Sequence, residues 1–273
     1  VRLIDDPADV ALDDYRDLRP RDGRPGPRTG TGAVVVEGVV ALRRVLHAGV
    51  PLRSVLVTPS KATTLAPLLA ALGDGVEVFV AERTTLAATC GFDVHRGVLA
   101  AADRPAARDP EALVASARRV VVAERLNDQE NLGALFRNAA GLGVDGVLLD
   151  ERSADPLSRR AVRVSLGWSL VLPHARLGPL PDGLEVLHRA GMRTVALTPA
   201  PDAVPVDVAA DRGLLDDPVG LVVGAEGPGL SPETLTACTH RTRVPMHGSA
   251  DSLNVATALA VVASFAAARR GWR

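Results

Sequence analysis

The sequence predicts an α/β protein of two compact units, a small one followed by a larger one with a mostly parallel sheet. Three observations carry this. The chain has 273 residues, more than one minimal domain needs and comfortable for two. Short apolar runs alternate twice with helix-like stretches, and helices between apolar strands imply parallel pairing, because parallel neighbours need a crossover. Between the two series, Asp103-Arg-Pro-Ala-Ala-Arg-Asp-Pro110 holds two prolines, four charges and no periodicity, the signature of a linker.

Taken in order, residues 1–32 alternate Asp and Arg among prolines and glycines. They read as an N-terminal arm with a short helix around Ala8 to Leu18. From Ala33 to Ala102 strands are predicted at Val34 to Val36, Ser54 to Val57, Val76 to Val80 and Gly97 to Ala101, with helices at Val39 to His47, Thr64 to Leu72 and Thr84 to Ala88. Residues 103–116 are assigned to the linker and 117–273 to the second unit. There the predicted series is strand Val120 to Ala123, helix Leu132 to Ala140, strand Gly146 to Leu149, helix Arg159 to Ser165, helix Leu184 to Ala190 and strand Thr194 to Leu197. It continues with strand Gly220 to Val223, a short helix after Ser231, strand Thr242 to Val244 and a last helix from about Ser252 to Arg269.

Composition narrows the function classes. Residues of the AVILMFWYC set make up 47% of the chain but aromatics only 3%, so real cores are expected and must be built from Val, Leu and Ala. A net charge of −1 excludes a polybasic protein that binds nucleic acid by bulk electrostatics, while leaving room for a local basic surface. Cys90 and Cys238 stand alone, without ligand spacing, so neither a disulfide framework nor a metal site is expected. The absence of a long apolar run and of a leader-like start leads us to expect a cytoplasmic protein with no membrane partner.

No Gly-x-Gly-x-x-Gly follows a strand, and no phosphate-binding P-loop occurs, so a dinucleotide or ATP site of the usual kind is not expected. Three other blocks are unusual. Asn131-Leu-Gly133-Ala-Leu-Phe-Arg137 comes straight off a strand; Asn131 looks like a helix cap, and with Arg137 it lies towards the strand's carboxyl end, where open α/β sheets bind ligands. A cap and a solvated arginine would account for this block alone equally well. In Gly224-Ala-Glu226-Gly227-Pro-Gly229, glycines around one carboxylate let the backbone approach a ligand closely, with a turn carrying a solvated glutamate as the alternative. In Pro245-Met246 and Ser252-Leu253-Asn254, two polar side chains precede a long apolar helix; capping explains one of them better than both.

Together the blocks resemble the three signature motifs of the SpoU/TrmH family, the RNA 2′-O-ribose methyltransferases of the SPOUT class. Asn131, Gly133 and Arg137 match the first, Gly224, Glu226, Gly227 and Gly229 the second, and Pro245, Met246 and Ser252 to Val255 the third, over roughly residues 120–270. Position 225 is Ala where many members carry Asn. Residues 33–102 look like the family's ribosomal-protein-like substrate-binding domain.

The resemblance implies a C-terminal SPOUT domain with a deep trefoil knot, a rare exception to the rule against threaded loops. It implies S-adenosylmethionine as methyl donor, held by Leu197, Thr198, Gly224, Ala225, Glu226, Gly227, Val244, Pro245, Met246 and Leu253, with no metal. The catalytic set carried over is Asn131, Arg137, Glu226, Ser252 and Asn254. Arg137 would clamp a phosphate beside the target hydroxyl, since a guanidinium that stays protonated is an awkward base. The implied partners are RNA, ribosomal rather than transfer RNA, and a second copy of the chain docked through the knot domain, with Gln129, Phe136 and the last helix as interface candidates. RNA phosphates are assigned to Arg96, Arg159, Arg160 and Arg163. A transfer-RNA methyltransferase and a non-catalytic RNA-binding or ribosome-assembly factor are the alternatives.

Overall fold

In the computed structural model, described for residues 1–18, 32–248 and 250–268, the chain divides into two units: Val1–Pro105 with Asp155–Val171, and Ala106–Ala154 with Leu172–Arg273. The first contains β1 (Arg2–Leu3), a 3-10 turn (Val10–Tyr15), β2 (Ala33–Glu37), α1 (Val39–His47), β3 (Leu52–Val57), α2 (Pro59–Thr64), α3 (Ala66–Ala70), β4 (Glu77–Val80), α4 (Arg83–Cys90) and β5 (Val98–Asp103). Its sheet runs β1-β4-β3-β5-β2, with β1, β4 and β3 parallel and β5 antiparallel to both its neighbours. Successive side chains leave a strand on opposite faces, which gives this sheet two cores. Val34, Val36, Val55 and Val57 pack with Ala41, Leu42 and Val45 of α1. Val35, Leu56, Phe79 and Leu99 pack with Leu12, Tyr15 and Leu86.

The second unit begins with α5 (Pro110–Ser116), β6 (Arg119–Glu124), α6 (Gln129–Gly141) and β7 (Gly146–Leu149). Two short helices, α7 (Arg159–Val164) and α8 (Trp168–Val171), then belong to the first unit. The second resumes with β8 (His174–Arg176), a 3-10 turn (Asp182–Leu184), α9 (Glu185–Arg189), β9 (Arg193–Leu197), β10 (Val204–Pro205), α10 (Val206–Asp211), β11 (Val219–Gly224), α11 (Pro232–Ala237), β12 (His240–Arg243) and α12 (Val255–Ala268). The strand order is β10-β12-β9-β11-β6-β7-β8, parallel throughout. Both faces are covered, as all-parallel sheets require. Val121, Val147, Leu221 and Val223 meet α6, α10 and α12 on one side. Val120, Val122, Leu148 and Val222 meet Leu113 of α5 and Leu187 of α9 on the other.

Three boundaries differ from the sequence expectation. Residues 1–18 are no arm: β1 pairs with β4, and Leu12, Tyr15 and Leu18 are buried. Leu12, Tyr15 and Leu18 recur every third residue, in and just after the 3-10 turn Val10–Tyr15, where the sequence predicts a short helix. Residues 19–31, the rest of the predicted arm, lie outside the described residues. The linker narrows to 104–109, because Asp109 caps α5, Pro110 opens it, and Leu113 and Val114 are buried. A proline at the first helical position starts a helix rather than breaking one. Residues 155–171, expected in the second unit, pack Leu157, Val162 and Leu170 into the first unit's core, and the Arg44 guanidinium stacks on Trp168 with 4.4 Å to the ring centroid. No helix among the described residues is long and apolar enough to cross a membrane.

Candidate functional site

The carboxyl edge of the second sheet gathers the unusual blocks. β11 and β6 are in register to their last residues, Gly224 opposite Glu124, and β9 and β12 lie next in order. The chain turns that leave these strands therefore emerge side by side, the position in which parallel sheets hold ligands.

The first block enters α6 through Asp128, whose Oδ1 accepts from the N–H groups of Glu130 and Asn131 at 2.7 and 2.8 Å. Asn131 is thus not the cap the sequence suggests; it sits inside the first turn with its side chain released. The preceding turn is held from below. Asp150 Oδ1 accepts from Arg125 N at 3.0 Å and Ser153 Oγ at 2.6 Å, and Arg125 is fixed at a left-handed φ of 52°. Such a conformation is costly for a residue with a Cβ, and here the Asp150 carboxylate holds its amide.

The second block doubles back on itself. Gly229 N–H donates to Ala225 O at 3.0 Å, and a Cβ on Gly224 would stand 2.3 Å from the backbone carbon of Gly229 and the nitrogen of Leu230. Only glycine fits there. Below the loop, a residue that sequence reasoning passed over holds it to the sheet. Buried Glu124 accepts from Ser231 N at 2.9 Å, Ser231 Oγ at 2.8 Å and Thr234 Oγ1 at 3.2 Å. Its only sequence signal is a carboxylate ending the apolar run Val120 to Ala123.

The third block closes the site. Asn254 Oδ1 accepts from Ala256 N at 3.0 Å and Thr257 N at 3.3 Å, capping α12. Its amide nitrogen donates to Asn131 Oδ1 and to Glu226 Oε1, each at 2.7 Å. One asparagine thus ties all three blocks together. The same edge bounds a cavity of about 540 Å³, within the range of small-molecule sites. Leu197, Thr198, Gly224, Ala225, Glu226, Gly227, Val244, Met246, Ser252, Leu253 and Asn254 line it. Pro245 does not. Asp251, which the sequence reading omitted, does line it and accepts from Ser252 Oγ at 3.2 Å.

Other candidates fall elsewhere. Arg137 is exposed, and among the described residues it has no hydrogen-bond or ion-pair partner. It stands six positions after Asn131, roughly 9 Å along the axis and about a third of a turn off that face, and it makes no hydrogen bond to the Asn254 cluster of its own chain. Arg159 does not join a basic face: its guanidinium contacts Glu37 Oε2 at 2.6 Å and lies over the Phe92 ring, within the first unit. Arg160 is exposed on the same short helix and Arg163 is half-buried. Phe136, expected at an interface, is fully buried and meets His174 edge to face, whereas Phe265 of α12 is 36% exposed. Burial pushes the Cys90 thiol up to about 12 and the Cys238 thiol up to about 11, so neither is a nucleophile near neutral pH. Among the described residues no cluster of His, Cys, Asp and Glu could hold a metal ion.

A sequence model of the SpoU rRNA Methylase family matches residues 118–264. An uncharacterized tRNA/rRNA methyltransferase of Mycobacterium tuberculosis is 43% identical over 263 residues, 96% of this chain and 90% of that one. The SpoU methyltransferase AviRb from Streptomyces viridochromogenes, solved in complex with the cofactor AdoMet, aligns with a TM-score of 0.76 at 25% identity over 96% of this chain and 99% of that one. A solved RNA 2′-O ribose methyltransferase aligns with a TM-score of 0.74 at 26% identity, over 98% and 99% of the two chains.

Proposed function

The chain belongs to the SpoU rRNA methylase family and is an RNA methyltransferase, and from this premise we propose that it methylates a ribose 2′-hydroxyl of structured RNA in the cytoplasm, 23S ribosomal RNA ahead of transfer RNA. The observation that carries the proposal is the Asn131, Asn254 and Glu226 cluster at the mouth of the cavity. S-adenosylmethionine, when bound, supplies a methyl group on a sulfonium centre. The cavity suits it: Leu197, Val244 and Leu253 offer apolar walls, and the Gly224 turn presents backbone where a side chain would collide. In the same reading, the segment after β12 takes part in the deep trefoil knot of this class.

The chain's own groups then have distinct tasks. Asn254 holds Asn131 and the Glu226 carboxylate in one orientation, and Ser252 stands at the same rim. Holding an acceptor and donor in line contributes on the order of 7–11 kcal/mol at best. Arg137 clamps a phosphate next to the target ribose. Because it makes no hydrogen bond to its own Asn254 cluster, it serves the cavity of a second copy in a homodimer, for which the exposed Phe265 of α12 and the half-buried Gln129 offer surface. Arg96, Arg160 and Arg163 are the remaining candidates for RNA phosphates. The names of the relatives support ribosomal RNA and the ribose: a family described by rRNA methylation, and a structural relative described by 2′-O ribose methylation.

Two measurements test the proposal. Calorimetry with S-adenosylmethionine should show one site per chain, and no binding would favour a non-catalytic scaffold. Mapping 2′-O-methyl groups in RNA from cells with and without the gene should reveal one lost ribosomal position. Loss of a transfer-RNA mark, or of a base methylation, would overturn the assignment.

A further inference from the structure

We infer that the first unit carries its own seat for a backbone phosphate of the substrate RNA, in a cavity of about 350 Å³ remote in sequence from the three blocks. The inference rests on the proposed RNA methylation and adds a contact to it. The cavity forms where β3 and β4 end and where the chain re-enters β5. Thr58, Ser60, Lys61, Arg83, His95 and Arg96 line it.

Its shape is fixed by the backbone. Thr58 N–H donates to Gly97 O at 3.1 Å, and Gly97 N–H to Val94 O at 2.9 Å. Gly97 has a φ of 61°, and a Cβ there would stand 2.9 Å from Thr58 Oγ1, so this approach depends on glycine. The rim is also held by charge. Arg83 Nε and Nη2 donate to the two Asp93 oxygens at 2.9 and 3.0 Å, and His95 Nδ1 lies 3.3 Å from the same carboxylate. Arg96 lies over Gly38, whose missing Cβ would be 3.0 Å from its Cδ.

The lining decides the ligand class. Asp93 matches Arg83, and Glu82 is the one carboxylate in the lining. Lys61 and Arg96 have no ion-pair partner among the described residues. In a chain of net charge −1 whose only lysine is Lys61, unpaired cations beside the Thr58 and Ser60 hydroxyls select an anion with several acceptor oxygens. One lining carboxylate is too few to hold a hard cation. No Phe, Tyr or Trp ring lines the cavity, so an unstacked base would find only the His95 imidazole, which is already held against Asp93. A phosphodiester satisfies the cations and the hydroxyls together.

The single lysine gives a direct test in the full chain. Acetylation of Lys61 by an N-hydroxysuccinimide ester, followed by mass spectrometry, should slow by roughly fivefold or more when an unmodified 23S rRNA transcript saturates the protein. The Lys61→Ala/Arg96→Ala variant should bind that transcript about tenfold more weakly, with a salt slope smaller by about 1 for each cation removed. Its affinity for S-adenosylmethionine should be unchanged, and Lys61→Arg/Arg96→Lys should restore RNA binding. Unprotected Lys61 in a bound complex, or an unchanged affinity and slope in the Ala variant, would overturn the seat and leave the methyltransferase reading standing. A wild-type chain that binds no RNA would overturn both.

Discussion

The side-chain amide of Asn254 lies 2.7 Å from the Glu226 carboxylate, 28 positions away in the chain, while its oxygen caps α12. One residue thus starts a helix and orients a carboxylate, and these two tasks can be separated. Asn254→Asp keeps an oxygen for the Ala256 and Thr257 amides but replaces the donor by an acceptor facing Glu226 and Asn131. Stability should stay within about 1 kcal/mol of wild type, while methyl transfer is lost. Asn254→Ala should lose transfer and in addition about 1 kcal/mol of stability. Thermal unfolding and a methylation assay on the same preparations read both quantities. An active Asn254→Asp variant would show that the amide link is incidental.

Arg137 is exposed and makes no hydrogen bond to the Asn254 cluster of its own chain, which makes the origin of the clamp measurable. Arg137→Ala and Asn254→Ala should each be inactive alone. Mixed in equal amounts and allowed to exchange subunits, they should recover about a quarter of wild-type activity, because half the dimers are mixed and each has one intact site. No recovery, with exchange verified by tagged subunits, would place Arg137 at the site of its own subunit.

Glu124 is buried beneath the Gly224 turn with three donors on its carboxylate. Glu124→Ala leaves the Ser231 amide and two hydroxyls without their acceptor, a loss of about 2–3 kcal/mol. Donor affinity should fall with it, because the loop from Gly224 to Gly229 loses its anchor. Urea unfolding and calorimetry check the pair. A full loss of stability with unchanged donor affinity would confine Glu124 to the fold.

The two thiols give a pH signature. Burial raises Cys238 to about 11 and Cys90 to about 12 from an ordinary 9.0, so the folded state keeps protons that the unfolded chain gives up. Their contribution is fully present below pH 9 and is lost as the pH rises towards 11 and 12. Unfolding midpoints should therefore decline more steeply above pH 9 in wild type than in a Cys90→Ala/Cys238→Ala variant. Neither thiol should react with a maleimide at pH 7 before unfolding.

The sequence by itself determined the α/β class, strands β6, β7, β9, β11 and β12, and many of the residues that line the cavity. Each is written locally: an apolar run of four to six residues buried on both faces, a glycine where the backbone must pass, a motif of fixed spacing. Tertiary structure decided what depends on distant partners. Asp128 caps α6 locally, but what the Asn131 side chain does depends on an asparagine 123 positions later. Arg159 was claimed by Glu37 and Phe92 of a segment far upstream, and no helical spacing could signal that. Short or sparse pieces escaped for the same reason. β8 is three residues after a proline, and residues 1–18 show their apolar character only once Leu12, Tyr15 and Leu18 meet the sheet. Asn254 shows both limits. Its residue type marks a helix start, but only the folded chain brings Asn131 and Glu226 within reach of the amide that the cap leaves free.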